Sequence, residues 1–321
     1  MREDSSPEAL SIRDTAICTL FEGDYHFGVA AFVNSLVQSG YTGTVWAGYR
    51  GPLPPWLNQL KQVNAECGEY RVTDCIRLVF VPLKVDWHFT NYKPQFMLDL
   101  LAGPAHESEY IWYFDPDIFL RCNWSLFAKW QRYGIALCEE IVNYNLRENS
   151  FLRMQWSEIG RAMSLGEPRA LSQYFSGGMV GVSKADANFL ELWKSILDQA
   201  QSMGYDLRVF KPGTPDMPFN ATDQDALNMT AMYTKHPLVT MGPEAMGFTP
   251  SGFAMYHTVG IKPWRGSLLL RAAMGIPPSD ATKFFFTKVS SPIRAYSWPR
   301  FCAKRLACSI AAFLGRFYRR R

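Results

Sequence analysis

No stretch of this 321-residue chain runs for about 18 consecutive apolar residues, so nothing in it is long enough to cross a bilayer as a helix. The first residues, Met-Arg-Glu-Asp-Ser-Ser-Pro, are polar and lead into no apolar core, so no signal peptide is expected. Cysteine is sparse: Cys18, Cys67, Cys75, Cys122, Cys138, Cys302 and Cys308 are odd in number and show no C-x-x-C spacing. Neither a zinc ribbon nor a secreted disulfide scaffold fits that pattern, and a reducing, cytoplasmic setting is expected. The Asn-x-Ser/Thr matches at Asn123, Asn220 and Asn228 would then meet no glycosylation machinery. Internal repeats and low-complexity tracts are missing as well. With 48% hydrophobic and 15% aromatic residues, large-scale disorder is excluded, and the length suits one large domain with an appendage.

A general excess of charge is also lacking. The net charge of +4 is concentrated in residues 300–321, where Arg300, Lys304, Arg305, Arg316, Arg319, Arg320 and Arg321 meet no acid. Removing those seven leaves 26 basic against 29 acidic residues, so the body is near −3. That argues against a nucleic-acid-binding surface and for a basic tail with its own partner. Drawn as a helix, Ala303 to Tyr318 places Leu306, Ile310, Phe313, Leu314 and Phe317 on one face, and Arg305, Ser309, Arg316, Arg319 and Arg320 on the other. An anionic membrane surface is the expected partner, the alternative being a helix packed on the body with solvated arginines.

What is present first is an alternation of strand-like and helix-like segments, the pattern of an α/β layer with a mostly parallel sheet. Strands are expected at Thr15 to Phe21, Thr44 to Tyr49, Cys75 to Leu83 and Tyr110 to Phe114. Helices are expected at Val29 to Gln38, Pro55 to Val63 and Lys93 to Leu101. Later come short strands at Ile135 to Cys138 and Met179 to Val182, helices at Ala185 to Ser202 and Asp223 to Tyr233, and a last strand at Phe253 to Thr258. The proline-rich stretch from Val209 to Asn220 reads as a loop or lid.

The chemistry is concentrated in Tyr110-Ile-Trp-Tyr-Phe-Asp115-Pro116-Asp117-Ile-Phe-Leu120, an apolar run broken by two acids. Unpaired buried carboxylates cost several kcal/mol or neutralise themselves, so a cation is called for, and a divalent metal is the simplest. Pro116 fixes its own φ and biases Asp115 towards extended geometry, holding the pair as a short claw. The acids fall at the carboxyl end of a strand, where open α/β sheets bind ligands. His257, in His257-Thr-Val-Gly260-Ile-Lys262-Pro263-Trp264, follows another short apolar strand and completes a set suited to Mn²⁺ and tolerable for Mg²⁺. Lys262 lies close enough to meet phosphate oxygens. Thr222-Asp223-Gln224-Asp225 opens a helix, with acids favoured by the macrodipole but Gln224 unexplained by it. Tyr174-Phe175-Ser176-Gly177-Gly178 sets paired glycines before a strand, fit for a ligand or for a tight turn.

Taken in this order, these elements resemble glycosyltransferases of the GT-A fold, and specifically glycosyltransferase family 8, which contains glycogenin and bacterial lipopolysaccharide galactosyltransferases. The resemblance runs from about Thr15 to Trp264. It implies a UDP-sugar donor, with Thr19, Asp24 and Tyr25 at the nucleotide and Lys93 towards the sugar nucleotide. It implies metal ligation by Asp115, Asp117 and His257, with Gly260 and Lys262 at the diphosphate and Ser176 and Gly177 at the sugar or the diphosphate. Asp223, Gln224 and Asp225 would surround the donor sugar, Gln224 beneath the anomeric carbon. Two departures stand out: Ser176 where the family usually has Asn, and a single residue, Ile261, between Gly260 and Lys262 where it usually has two.

On that resemblance the chain divides into a flexible lead at 1–14, a GT-A catalytic domain at 15–265, and an acceptor-side segment at 266–321 ending in the basic helical tail. The expected activity is transfer of a hexose to an acceptor hydroxyl with retention of configuration. A glycan or lipid-linked glycan is the expected acceptor, with no nucleic acid as partner and a cytoplasmic location, peripheral on the membrane face. A nucleotidyltransferase would want a glycine-rich basic loop after the first strand, where this chain has Phe21-Glu-Gly-Asp-Tyr25. A non-catalytic sugar-nucleotide or glycan-binding protein is the third reading.

Overall fold

In the computed structural model, which describes residues 14–141, 146–214, 216–250 and 252–318, the alternating segments form a nine-stranded sheet with a parallel centre and helices on both faces. Three expectations lie outside the described residues: residues 1–13 of the flexible lead, Pro215 of the lid, and Arg319, Arg320 and Arg321 of the tail.

β1 (Thr15–Glu22) runs between β2 (Gly43–Arg50) and β6 (Tyr110–Phe114), with β5 (Ile76–Pro82) beyond β2, and all four are parallel. Ile17 faces Val45 on one side and Trp112 on the other. Such strands read as continuous apolar runs because helices cover both faces. α1 (His26–Ser39), α3 (Ser125–Trp130) and the carboxyl-terminal helices pack on one face around Phe32, Phe114 and Trp124. α2 (Lys93–Ala102), α4 (Phe151–Ala162), α5 (Asn188–Ser202) and α6 (Thr222–Tyr233) pack on the other around Phe96, Trp156 and Trp193.

Antiparallel strands extend both edges. β9 (Met179–Ser183) pairs with β6 and with β8 (Ile135–Cys138), and β10 (Leu238–Met241) lies parallel outside β8. At the other edge are β4 (Glu69–Arg71) and β3 (Lys61–Asn64). Here the expected helix from Pro55 to Val63 is corrected. Pro54 and Pro55 open a single 3-10 turn, Pro55–Gln59, and the polar run after it becomes an exposed edge strand. α4 is unanticipated because its outer residues Phe151 and Met154 are exposed, which blurs its apolar periodicity. Its start is set by Ser150, whose hydroxyl accepts from the Arg153 N–H.

The last expected strand is shorter, β11 (Met255–His257), and joins β7 (Ile118–Leu120) in a separate two-stranded antiparallel ribbon. Beyond it come α7 (Leu268–Ala273), α8 (Asp280–Lys288) and α9 (Trp298–Leu314). α9 packs through Phe301, Cys308 and Ala311; of the apolar residues singled out in the sequence, Leu306, Ile310, Phe313 and Phe317 face outwards, whereas Leu314 is half-buried against the core. No helix among the described residues is long and apolar enough to cross a membrane.

Candidate metal centre

The ribbon brings together residues 140 positions apart in sequence. Asp115 and Asp117 follow β6 directly, and the Asp115 N–H bonds Gly178 O at 2.8 Å, so the turn leaves the sheet pinned to β9. The chain then reverses, Ile118 N–H donating to Asp115 O at 3.0 Å. In the β7–β11 register His257 lies opposite Ile118, and Thr258 N–H bonds Asp117 O at 3.1 Å. The imidazole is therefore delivered to the claw by backbone pairing.

Each carboxylate divides its labour. Asp115 Oδ1 accepts from the Tyr113 hydroxyl at 2.8 Å and lies 3.2 Å from the Lys93 ammonium. Asp117 Oδ2 accepts from the Thr258 hydroxyl at 3.2 Å and from Lys262 Nζ at 2.5 Å. The other oxygens converge: His257 Nε2 is 3.8 Å from Asp115 Oδ2 and 3.5 Å from Asp117 Oδ1. One ligand atom from each residue lies within 4.8 Å of the others.

Two glycines make room for this geometry. A Cβ on Gly178 would stand 2.8 Å from His257 Cε1 and 3.2 Å from Asp115 Oδ2, and one on Gly28 would stand 2.3 Å from Pro116 O. The start of α1 and the start of β9 thus clasp the claw from two sides.

Lys93 is buried beneath it. Its ammonium donates to Gly177 O at 2.7 Å and Asp223 Oδ2 at 2.9 Å, besides the 3.2 Å contact with Asp115. Three acceptors take its three N–H donors, so Lys93 ties β6, the glycine turn and α6 together within the protein. The rest of the α6 opening is held as firmly. Gln224 Oε1 accepts from Gly177 N–H at 2.9 Å, and Asp225 accepts from the Tyr174 hydroxyl at 2.6 Å and from Ala221 N–H at 2.8 Å. Ser176, also buried, accepts from Gly178 N–H at 3.2 Å.

On the other side of the claw, Tyr25 lies edge-on to Trp264, with ring centroids 5.5 Å apart. Lys262 and Arg265 sit 5.7 Å and 5.1 Å from the centre of its ring. Asp24 forms a two-pronged pair with Arg265, at 2.7 Å and 2.5 Å. Thr19 and Gly260 stand apart: the Thr19 hydroxyl is buried in β1 without a partner among the described residues, and Gly260 is exposed.

The electrostatics favour the charged forms of Asp117 and Lys93. Burial alone would raise the pKa of Asp117, but His257 and Lys262 outweigh it and hold the carboxyl far below its ordinary range. Burial likewise works against the Lys93 ammonium, yet Asp115 and Asp223 keep its pKa above the usual lysine value. Burial drives the Asp225 carboxyl up to about 7 despite its bond from Tyr174.

Two carboxylate oxygens and an imidazole nitrogen are a suitable donor set for Mn²⁺ or Mg²⁺. Atoms bound to one ion at about 2.1 Å lie roughly 3.0–3.4 Å apart at right or tetrahedral angles, so the 3.5–3.8 Å separations observed need only a small contraction. The residues fit the metal. Sequence reasoning missed Tyr113, Thr258, Gly28 and Arg265. Tyr113 lies in a strand buried on both faces, where periodicity carries no signal, and the other three act through contacts made only in the fold.

No family model matches the chain, and no curated protein does. Among solved structures it is similar to one described as the apo form of the bifunctional glycosyltransferase WbbM, with a TM-score of 0.53 and 11% identity. The match covers 92% of this chain and 52% of that one, so this chain spans about half its length. At that identity the likeness shows a shared fold.

Proposed function

We propose that this protein is a metal-dependent glycosyltransferase, moving a hexose from a UDP-sugar to an acceptor hydroxyl with retention of anomeric configuration. The observation that carries the reading is the convergence of Asp115 Oδ2, Asp117 Oδ1 and His257 Nε2 at the carboxyl edge of a parallel sheet. The fold shared with a bifunctional glycosyltransferase supports it, as do the motifs that resemble family 8, to which we assign residues 15–265.

Asp115, Asp117 and His257 would hold Mn²⁺ or Mg²⁺, which supplies Lewis-acid neutralisation of the leaving diphosphate. Lys262, which reaches Asp117 from the protein side, adds a second positive charge beside the same group. Tyr25, flanked by Trp264 and Arg265, offers an aromatic surface for the base, with Asp24 and Thr19 assigned to the same nucleotide pocket. Gln224, whose Oε1 accepts from Gly177 N–H, is assigned the position beneath the anomeric carbon. Asp223 and Asp225 are positioning residues in this scheme, because Lys93, Tyr174 and the Ala221 N–H engage their oxygens. Retention follows if the acceptor hydroxyl passes its proton to the departing phosphate on the same face. The acceptor is a glycan or lipid-linked glycan, received on the side of residues 266–321.

A donor panel tests the proposal. Incubating the full chain with a set of nucleotide sugars and Mn²⁺ should release UDP from one or a few UDP-hexoses and nothing after chelation. UDP binding without turnover of any donor would favour a sugar-nucleotide-binding protein, and pyrophosphate release from a nucleoside triphosphate would favour a nucleotidyltransferase.

A further inference from the structure

α9 has two apolar faces. Phe301, Cys308 and Ala311 are buried, and the helix packs on α7 and α8. On the opposite side Leu306, Ile310 and Phe313 follow one another at i, i+4 and i+7 with exposures of 62%, 43% and 54%. Phe317, 73% exposed, lies one turn beyond and packs on Phe313 with ring centroids 5.3 Å apart. At 3.6 residues per turn the first three fall within a stripe of about 60°, roughly half a revolution from the buried face. A surface helix of a globular domain normally puts polar residues there. α7 also exposes Leu270 and Met274, and the Tyr318 hydroxyl ties the end of the α9 segment to α7 by bonding Ala273 O at 3.1 Å.

Cations border the stripe. Arg305 and Arg316 are exposed beside it, Arg300 and Lys304 stand at the start of the helix, and Arg271 and Arg300 are both near enough to Lys304 to repel it. The sequence holds no Asp or Glu after Asp280. A second copy seated on this face would set arginine against arginine with no acid to answer it. An acidic lipid surface supplies both things the face lacks, apolar depth for the stripe and negative charge for its borders. Trp298, exposed at the amino end of α9, is a residue type favoured at such interfaces. With 17 residues and charged flanks, α9 suits lying in the interface plane.

We propose that the outer face of α9 seats this protein on an anionic lipid bilayer with the helix axis in the plane of the interface. The inference rests on this surface alone and is independent of the reaction assigned to the metal centre.

Co-sedimentation of the full chain with vesicles tests it. The protein should pellet with vesicles of phosphatidylcholine mixed with phosphatidylglycerol, stay in solution with phosphatidylcholine alone, and be released by high salt. The exposed-face variant Ile310→Asp/Phe313→Asp, and separately Arg305→Glu/Arg316→Glu, should each lower the vesicle partition coefficient by on the order of tenfold or more with an unchanged melting temperature. Absence of wild-type binding to the anionic vesicles, or binding unaltered in both variants, would overturn the proposal. So would a concentration-dependent dimer that Ile310→Asp/Phe313→Asp abolishes, in a protein that ignores vesicles.

Discussion

At the scale of single residues, the candidate centre depends on groups that hold Asp115, Asp117 and His257 as much as on those three side chains themselves. The Tyr113 hydroxyl orients Asp115 by taking the oxygen turned away from His257. Tyr113→Phe should therefore weaken Mn²⁺ affinity by roughly 10-fold while leaving the fold intact, as removal of such supporting bonds typically does. Calorimetric titration with Mn²⁺ reads this directly, and an unchanged affinity would show that the hydroxyl does not orient the carboxylate. Asp225 gives a second prediction, one of pH. Its folded pKa of about 7 lies above the unfolded value of about 3.9, so its contribution to stability is complete below about pH 4 and is lost as pH rises through 7. The slope is at most about 1.4 kcal/mol per pH unit. In Asp225→Asn the amide donates to Tyr174 and its oxygen accepts from Ala221 N–H, imitating the protonated acid. Melting temperatures measured between about pH 5 and pH 8 should fall in the wild type and run flatter in the variant.

At the scale of elements, the claw is a product of three backbone junctions: β6 passing into the turn, β9 starting beside it, and β11 laid on β7. Lys93 locks the first two to α6. Lys93→Met would strand the Asp115 and Asp223 charges in the interior, and unfolding by urea should show a loss of about 3 kcal/mol or more. Adding Asp223→Asn should recover part of that loss, and strictly additive effects would contradict a direct coupling. The parallel strands and the claw were legible in the sequence because both are written in contiguous residues, apolar runs and Asp115-Pro116-Asp117. The β3–β4 hairpin and α4 were not, since β3 is exposed throughout, Phe151 and Met154 of α4 face outwards, and local pattern says little about pairing at a sheet edge. His257 could be singled out, but its register opposite Ile118 could not, because that register is set by the turn after Asp117 and by the packing of the ribbon. Lys93 shows the reverse case: its basic character was evident, whereas its three protein acceptors, two of them more than 80 residues away, exist only in the fold.

At the scale of the whole molecule, the two faces of the sheet carry separate cores, and the carboxyl-terminal helices complete one of them. Cutting the chain after Trp298 would therefore remove Phe301, Cys308 and Ala311 from a core as well as the outward stripe, which makes point variants the cleaner probe of the surface. The same arrangement sets the candidate metal centre where β1 and β6 end and β9 begins, between α1 and α6. The central claim is that Asp115, Asp117 and His257 bind a divalent cation on which the donor diphosphate depends. Calorimetric titration of UDP into the protein with Mn²⁺, and again with Mn²⁺ chelated, tests it most directly. The account predicts binding with Mn²⁺ that is lost on chelation and in His257→Ala, whereas UDP binding of equal strength in all three samples would contradict it.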